Sequence, residues 1–244
     1  MRNIVLTIQY DGSRYDGWQK QGNTPNTIQG RLEALLSRMT GEETEIHGSG
    51  RTDAGVHSVG QVANFRTECD MPIGDMMDYI NRYLPKDIAV TAISEGAPRF
   101  HARLNAKAKH YRYRIRTSAV PDVFSRRYVW EISHKLNVAA MKAAAAQLCG
   151  QHDFTSFCDN KRMKKSAVRN IERIDFTEKD GELILDFYGD GFLYHMIRII
   201  VGTLVDIGRG NEYDLAAILE AKNRSLAGPL APAQGLCLME VFYD

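Results

Sequence analysis

Ile4-Val5-Leu6-Thr7-Ile8-Gln9-Tyr10 is the stretch on which the fold turns, because Ile4, Leu6, Ile8 and Tyr10 recur at every second position, the period of a half-buried strand. Asp11-Gly12 offers a turn directly after it. Asn26-Thr27-Ile28-Gln29 then resembles a capping box, and Ile28, Leu32, Leu35, Leu36 and Met39 follow at helical spacing until Gly41 closes the helix. Strand-like patterns return at 45–47 and 61–65. A second amphipathic helix sets Ile73, Met76, Met77, Ile80 and Leu84 on one side, stops at Pro85 and leads into an apolar strand over 88–93. This β-α-β-β-α-β succession places the chain in the α+β class.

The second half repeats the theme. Strands are expected at 111–116 and 128–132, then a helix over 138–148 ending near Gly150. Lys179-Asp180-Gly181-Glu182 carries an Asp-Gly hairpin signal, and Leu183, Leu185 and Phe187 alternate in the strand that leaves it. A long helix over 193–207, a shorter one over 213–221, a Pro-rich loop and a last strand over 236–243 complete the reading. Two α+β halves, 1–103 and 104–244, are expected to pack together around a cleft, since no Gly/Ser linker separates them.

A chain of 244 residues is long enough for a sizeable core without staples. The four cysteines, Cys69, Cys149, Cys158 and Cys237, form no C-x-x-C pair, so neither a zinc site nor a disulfide framework is signalled and a reducing, cytoplasmic setting is expected. No apolar run approaches membrane-spanning length, and with a strand-like pattern from the first residues no signal peptide is expected. A net charge of +1 gives no long-range attraction for a polyanion. The distribution of charge is more telling. No acid interrupts Arg99, Arg103, Lys107, Lys109, Arg112, Arg114 and Arg116, and a second basic cluster runs from Lys161 and Arg162 through Lys164 and Lys165 to Arg169. Segregation of this kind suits a surface that tracks phosphates, although a solvated charged face would look the same.

Three places can carry chemistry. Gly48-Ser49-Gly50-Arg51-Thr52-Asp53-Ala54-Gly55-Val56-His57-Ser58-Val59-Gly60 packs small residues around Arg51, Asp53 and His57; glycine allows close backbone approach, so a reactive side chain here can meet a bulky substrate. The plain alternative is a turn. Arg198 lies within an apolar helical stretch, where a guanidinium needs a carboxylate partner or a route to solvent. The strand around Tyr111 sets Tyr111, Tyr113 and Ile115 on one face and His110, Arg112, Arg114 and Arg116 on the other, an interleaving that suits stacking on bases and pairing with phosphate. Core packing of the tyrosines is the competing explanation.

These residues together resemble the tRNA pseudouridine synthase A family along essentially the whole chain. The likeness rests on Tyr10-Asp11-Gly12 with Gly17-Trp18-Gln19, Gly50 to His57, Phe100-His101-Ala102-Arg103, Tyr111-Arg112-Tyr113, His152 to Phe157, and Phe192 to Gly202. It implies two ferredoxin- or RNA-recognition-motif-like halves joined into a mostly antiparallel sheet, with helices packed on it and a central active-site cleft. It implies isomerisation of uridine to pseudouridine at tRNA positions 38, 39 and 40 in the anticodon arm, without metal or organic cofactor, by a cytoplasmic homodimer that shares one tRNA.

By the same resemblance Asp53 matches the nucleophile, Arg51 the arginine that assists base flipping, Tyr111 the tyrosine that stacks on the target base, and Arg198 the basic partner of the catalytic carboxylate. Arg112, Arg114, Lys164 and Lys165 are expected to meet RNA, and His57 to order the loop. The target must leave its stack at a cost of roughly a few kcal/mol, and Asp53 then attacks C6 of the base or C1′ of the ribose. Two rival functions use fewer of these residues: a non-catalytic RNA-binding protein, and a hydrolase with Asp53 as general base.

Overall fold

The computed structural model describes residues 1–160 and 165–243. The chain divides into two units, one of Met1–Lys107 with Cys237–Asp244 and one of Ala108–Leu236. The expected boundary near Arg103 therefore moves to Lys107, and the final strand returns to the first unit instead of staying with the second.

In the first unit β1 (Arg2–Tyr10), α1 (Ile28–Thr40), β2 (Ile46–Gly48), β3 (His57–Thr67), α2 (Ile73–Tyr83) and β4 (Ile88–Glu95) follow the β-α-β-β-α-β order read from the sequence. β1 is flanked by β3 and β4, both antiparallel, and β2 lies antiparallel on the far side of β3. Strand β3 starts at His57, four residues earlier than its alternation suggests. Ile4, Leu6, Ile8 and Tyr10 of β1 share one buried core with Ile28, Leu32, Leu35 and Leu36 of α1 and Met76 and Ile80 of α2. Truncating one such leucine to alanine costs about 2–5 kcal/mol.

Thr27 caps α1 by accepting the Gly30 amide, and Gly41 ends it at φ 76°. The capping box is only half made: the third helical position is Gly30, which has no side chain to return the bond.

In the second unit β5 (Ala108–Thr117), β6 (Trp130–Ile132), α3 (Val138–Ala146), β7 (Gly150–Asp153), β8 (Val168–Lys179), β9 (Glu182–Gly189), α4 (Met196–Gly208) and α5 (Leu215–Ala221) follow. The strands run in the order β5-β9-β8-β7, antiparallel throughout, with β6 parallel to β5. The β8–β9 turn has positive φ at both Asp180 (52°) and Gly181 (77°), the geometry that an Asp-Gly hairpin calls for. Buried Tyr113, Ile115, Leu183, Leu185 and Phe187 alternate along β5 and β9.

The expected helix over 193–207 begins three residues late, at Met196, because His195 is left-handed at φ 65°. The expected helix over 213–221 begins at Leu215, capped by Asp214. The last strand, β10 (Leu236–Phe242), pairs parallel with the start of β3 through Cys237 and Leu238. No helix among the described residues is long and apolar enough to cross a membrane.

Candidate active site

The loop between β2 and β3 is held from both sides. Ser49, buried, donates its amide to the Val62 carbonyl at 2.8 Å and its hydroxyl to Gln61 at 2.6 Å, while Gln61 donates to the Gly50 carbonyl at 2.8 Å. Thr52, also buried, accepts the Trp18 amide on its carbonyl at 3.0 Å, and its hydroxyl lies 2.8 Å from that of Tyr10. The Val56 amide turns back onto the Asp53 carbonyl at 3.1 Å, across Gly55 at φ 78°. Between these anchors Asp53 is half-buried, with Arg51 and Ala54 exposed on either side.

Close packing explains the glycines that frame the loop. A Cβ on Gly12 would sit 2.0 Å from the Val56 carbonyl oxygen, and one on Gly48 would sit 2.6 Å from the Trp18 ring. Buried His57 accepts the Gly12 amide on Nδ1 at 3.1 Å, with the Asp11 carboxylate at 3.2 Å. It therefore ties the loop to the Asp11-Gly12 turn, the ordering role expected of it. Tyr10-Asp11-Gly12 and Gly17-Trp18, distant motifs in the sequence, thus become the frame of the Asp53 loop.

In the second unit Tyr111 is buried on β5 with its ring edge-on to Phe192, the centroids 5.4 Å apart. Arg198 falls in the first turn of α4 and is half-buried. It locks to the Pro-rich loop twice: its Nε donates to the Ala231 carbonyl at 2.8 Å, and its own carbonyl accepts the Ala231 amide at 3.1 Å. Gly202, one turn on, lets that loop approach, since a Cβ there would be 1.8 Å from the Pro229 carbonyl oxygen. Neither Phe192 nor Ala231 stood out as a site residue in the sequence, although Phe192 opens one of the family-like stretches.

Arg112 and Arg114 each grip a carboxylate of β9: Arg112 reaches both oxygens of Asp186 at 2.9 and 3.1 Å, and Arg114 both oxygens of Glu182 at 2.7 and 2.8 Å. A phosphate arriving there meets an already neutralised pair. His110 lies 2.6 Å from the same Asp186. Burial by itself would raise the Asp186 carboxyl, but the hydrogen bonds from His110 and Arg112 outweigh it and hold the group below the usual carboxylate range. Lys165 is exposed, and Lys164 lies outside the described residues.

Asp159 is a further organising acid that the sequence reading passed over. It accepts from Arg224 Nε at 2.8 Å and lies 2.6 Å from His195 Nδ1. Burial again pushes its carboxyl up, and those two partners more than offset the push and lower it. The brace fixes the left-handed corner from which α4 starts.

The framed carboxylate loop thus belongs to the first unit of an α+β protein, and the aromatic strand and the helix-borne arginine to the second. A profile of the family described as tRNA pseudouridine synthase matches residues 6–105 and 144–244. The tRNA pseudouridine synthase A 2 of Bacillus cereus (strain ATCC 10987 / NRS 248) is 47% identical over 244 residues, covering 99% of both chains. That of Moorella thermoacetica, named tRNA pseudouridine synthase A, is 48% identical with 98% and 99% covered, and tRNA pseudouridine synthase A 1 of Clostridium tetani is 44% identical with both chains fully covered. The chain belongs to the tRNA pseudouridine synthase family, and is an isomerase.

Proposed function

We propose that the protein converts uridine to pseudouridine at positions 38, 39 and 40 of the tRNA anticodon arm, with Asp53 as nucleophile. The observation that supports this most is the framing of Asp53: its neighbours Thr52 and Val56 are anchored by hydrogen bonds and close glycine contacts, while the carboxylate-bearing residue itself is only half-buried. A nucleophile held this way loses little orientational freedom on reaching the transition state.

The chemistry breaks the glycosidic bond, turns the detached uracil and re-attaches it through C5, with the C5 proton lost. Arg51, exposed on the same loop, fills the space left by the flipped nucleotide. Tyr111 holds the loose ring by stacking, and Arg198 serves as the cationic partner that orients the Asp53 carboxylate. Lys164 and Lys165 meet the tRNA backbone, as do Arg112 and Arg114 where phosphate displaces their carboxylates. The working form is a cytoplasmic homodimer that shares one tRNA.

Release of tritium from tRNA labelled at uridine C5 tests the reading. Wild type is expected to release it, and Asp53→Asn to release none while still binding tRNA. Full activity in Asp53→Asn would sink the assignment of the nucleophile; free uracil or cleaved strands in place of pseudouridine would point to the hydrolase.

A further inference from the structure

A stretch of chain after β4, residues 96–105, contains no helix or strand, yet it is pinned to β1 and β3 by buried asparagines. Asn3 donates to the Ala97 and Phe100 carbonyls at 2.8 and 3.0 Å, and Asn64 accepts the Ala102 amide at 2.8 Å while donating to Asn3 at 2.9 Å. The Tyr243 hydroxyl donates to the Ala102 carbonyl at 2.8 Å, and Asn105 caps the His101 amide at 2.8 Å. Two nearly inaccessible amides, at 4% and 2% exposure, are therefore committed to fixing one surface segment. Buried polar groups used in this way specify position more than they add stability.

What the segment presents is cationic. Arg99 and Arg103 are exposed, and His101 is half-buried with its ring stacked on that of His47 from β2, centroids 5.0 Å apart. Arg66 of β3 joins them, its guanidinium on the Pro98 carbonyl at 3.1 Å. The Arg103 amide donates to His101 Nδ1 at 3.1 Å, which leaves Nε2 as that ring's proton-bearing nitrogen when it is neutral. Glu45, 75% exposed, lies 3.9 Å from His47. Burial first, then the charges of His47, Arg103 and Arg66, push the His101 imidazole below its ordinary value. An anion placed among them favours its charged form.

We propose that His47, Arg66, His101 and Arg103 form a phosphate-binding patch that takes the sugar–phosphate backbone of the bound RNA, away from the Asp53 loop. Arg66 is nine residues along β3 from His57, where the loop ends, or about 30 Å of strand, while His47 of β2 stands at the other edge of the patch, where the chain enters the loop. A contact at that distance grips the nucleic acid outside the reacting nucleotide and fixes its register without reading sequence. The proposal rests on tRNA being the substrate.

Its test is the salt dependence of tRNA binding by the full chain, followed by fluorescence anisotropy. Each phosphate contact contributes roughly 0.7–0.9 to the slope of log affinity against log salt. The pair Arg66→Ala with Arg103→Ala is expected to lower the slope by about 1.4–1.8 on that basis, and Arg103→Lys to keep the wild-type slope. Lys142→Ala, an exposed charge on α3, serves as the control and is expected to leave the slope unmoved. A double variant with native thermal unfolding and a wild-type slope overturns the patch, as does a control that shifts the slope equally. Tritium release by the wild type is read in parallel. Turnover with an unmoved slope removes the patch alone; a lowered slope without turnover removes the proposed reaction and leaves the patch standing.

Discussion

The phenolic oxygen of Tyr10 and the hydroxyl of Thr52 lie 2.8 Å apart, both buried, one residue away from Asp53. Burial pushes the Tyr10 phenol far above its ordinary value, so it is protonated around neutral pH. Tyr10→Phe deprives the Thr52 hydroxyl of this partner, which is expected to cost about 1–3 kcal/mol in urea unfolding. Turnover is expected to fall by an order of magnitude or more, since small displacements of a reacting group are expensive. Unchanged tritium release would show that Thr52 need not be held for Asp53 to work.

Gly12 offers a sharper test of the same frame. Its φ is ordinary for any residue, so alanine is excluded by the Val56 backbone, whose carbonyl oxygen lies 2.0 Å from where the Cβ would be, and that backbone belongs to the turn closing on Asp53. Gly12→Ala is expected to displace the loop and abolish most turnover, while Gly22→Ala, whose Cβ would meet nothing within 4 Å, keeps it. Equal activity of the two variants would detach the Asp11-Gly12 turn from catalysis.

Local periodicity made the first unit legible. The spacing from Ile28 to Met39 and the glycine at 41 mark α1 because both signals lie within the helix they describe. The hairpin at Asp180-Gly181 is equally local. What escaped depended on partners far along the chain. His195 reads as one more position of an apolar helix until Asp159, 36 residues earlier, holds it left-handed. Arg112 and Arg114 read as a basic strand face until β9 sets Asp186 and Glu182 against them, 74 and 68 residues away. The glycine-rich loop that carries Asp53 and Arg51 was legible as a place of close backbone approach; the mutual lock between Arg198 and Ala231 was not, because nothing in the Pro-rich loop announces which helix it covers.

The Asp186 carboxylate gives the fold a predictable acid limit. Its folded value lies below its unfolded one, so its pairing with His110 and Arg112 stabilises the native state at pH values above the ordinary aspartate range. That contribution is lost as pH falls through about 4 toward the depressed folded value. Asp186→Asn is expected to flatten the decline of unfolding free energy over this interval, and to lower stability near neutrality by about 1–3 kcal/mol, because His110 and Arg112 lose a charged acceptor. Parallel pH profiles for wild type and variant would show that the pairing contributes nothing differential to folding.

His195 separates backbone strain from side-chain anchoring. A non-glycine residue in the left-handed region carries a cost of about 1–2 kcal/mol, here borne at the entrance to α4, where the His195 carbonyl accepts the Ile199 amide at 3.0 Å. The Asp159 contact, itself secured by Arg224, is what offsets that cost. His195→Ala keeps the strain and removes the anchor; His195→Gly removes both. If strain dominates, the glycine variant is expected to be the more stable of the two by about 1 kcal/mol. Both are expected to lose turnover relative to wild type, since Arg198 lies one turn further along the same helix. A glycine variant no more stable than the alanine variant would assign the corner to the Asp159 contact alone and exclude backbone conformation as the reason for the late start of α4.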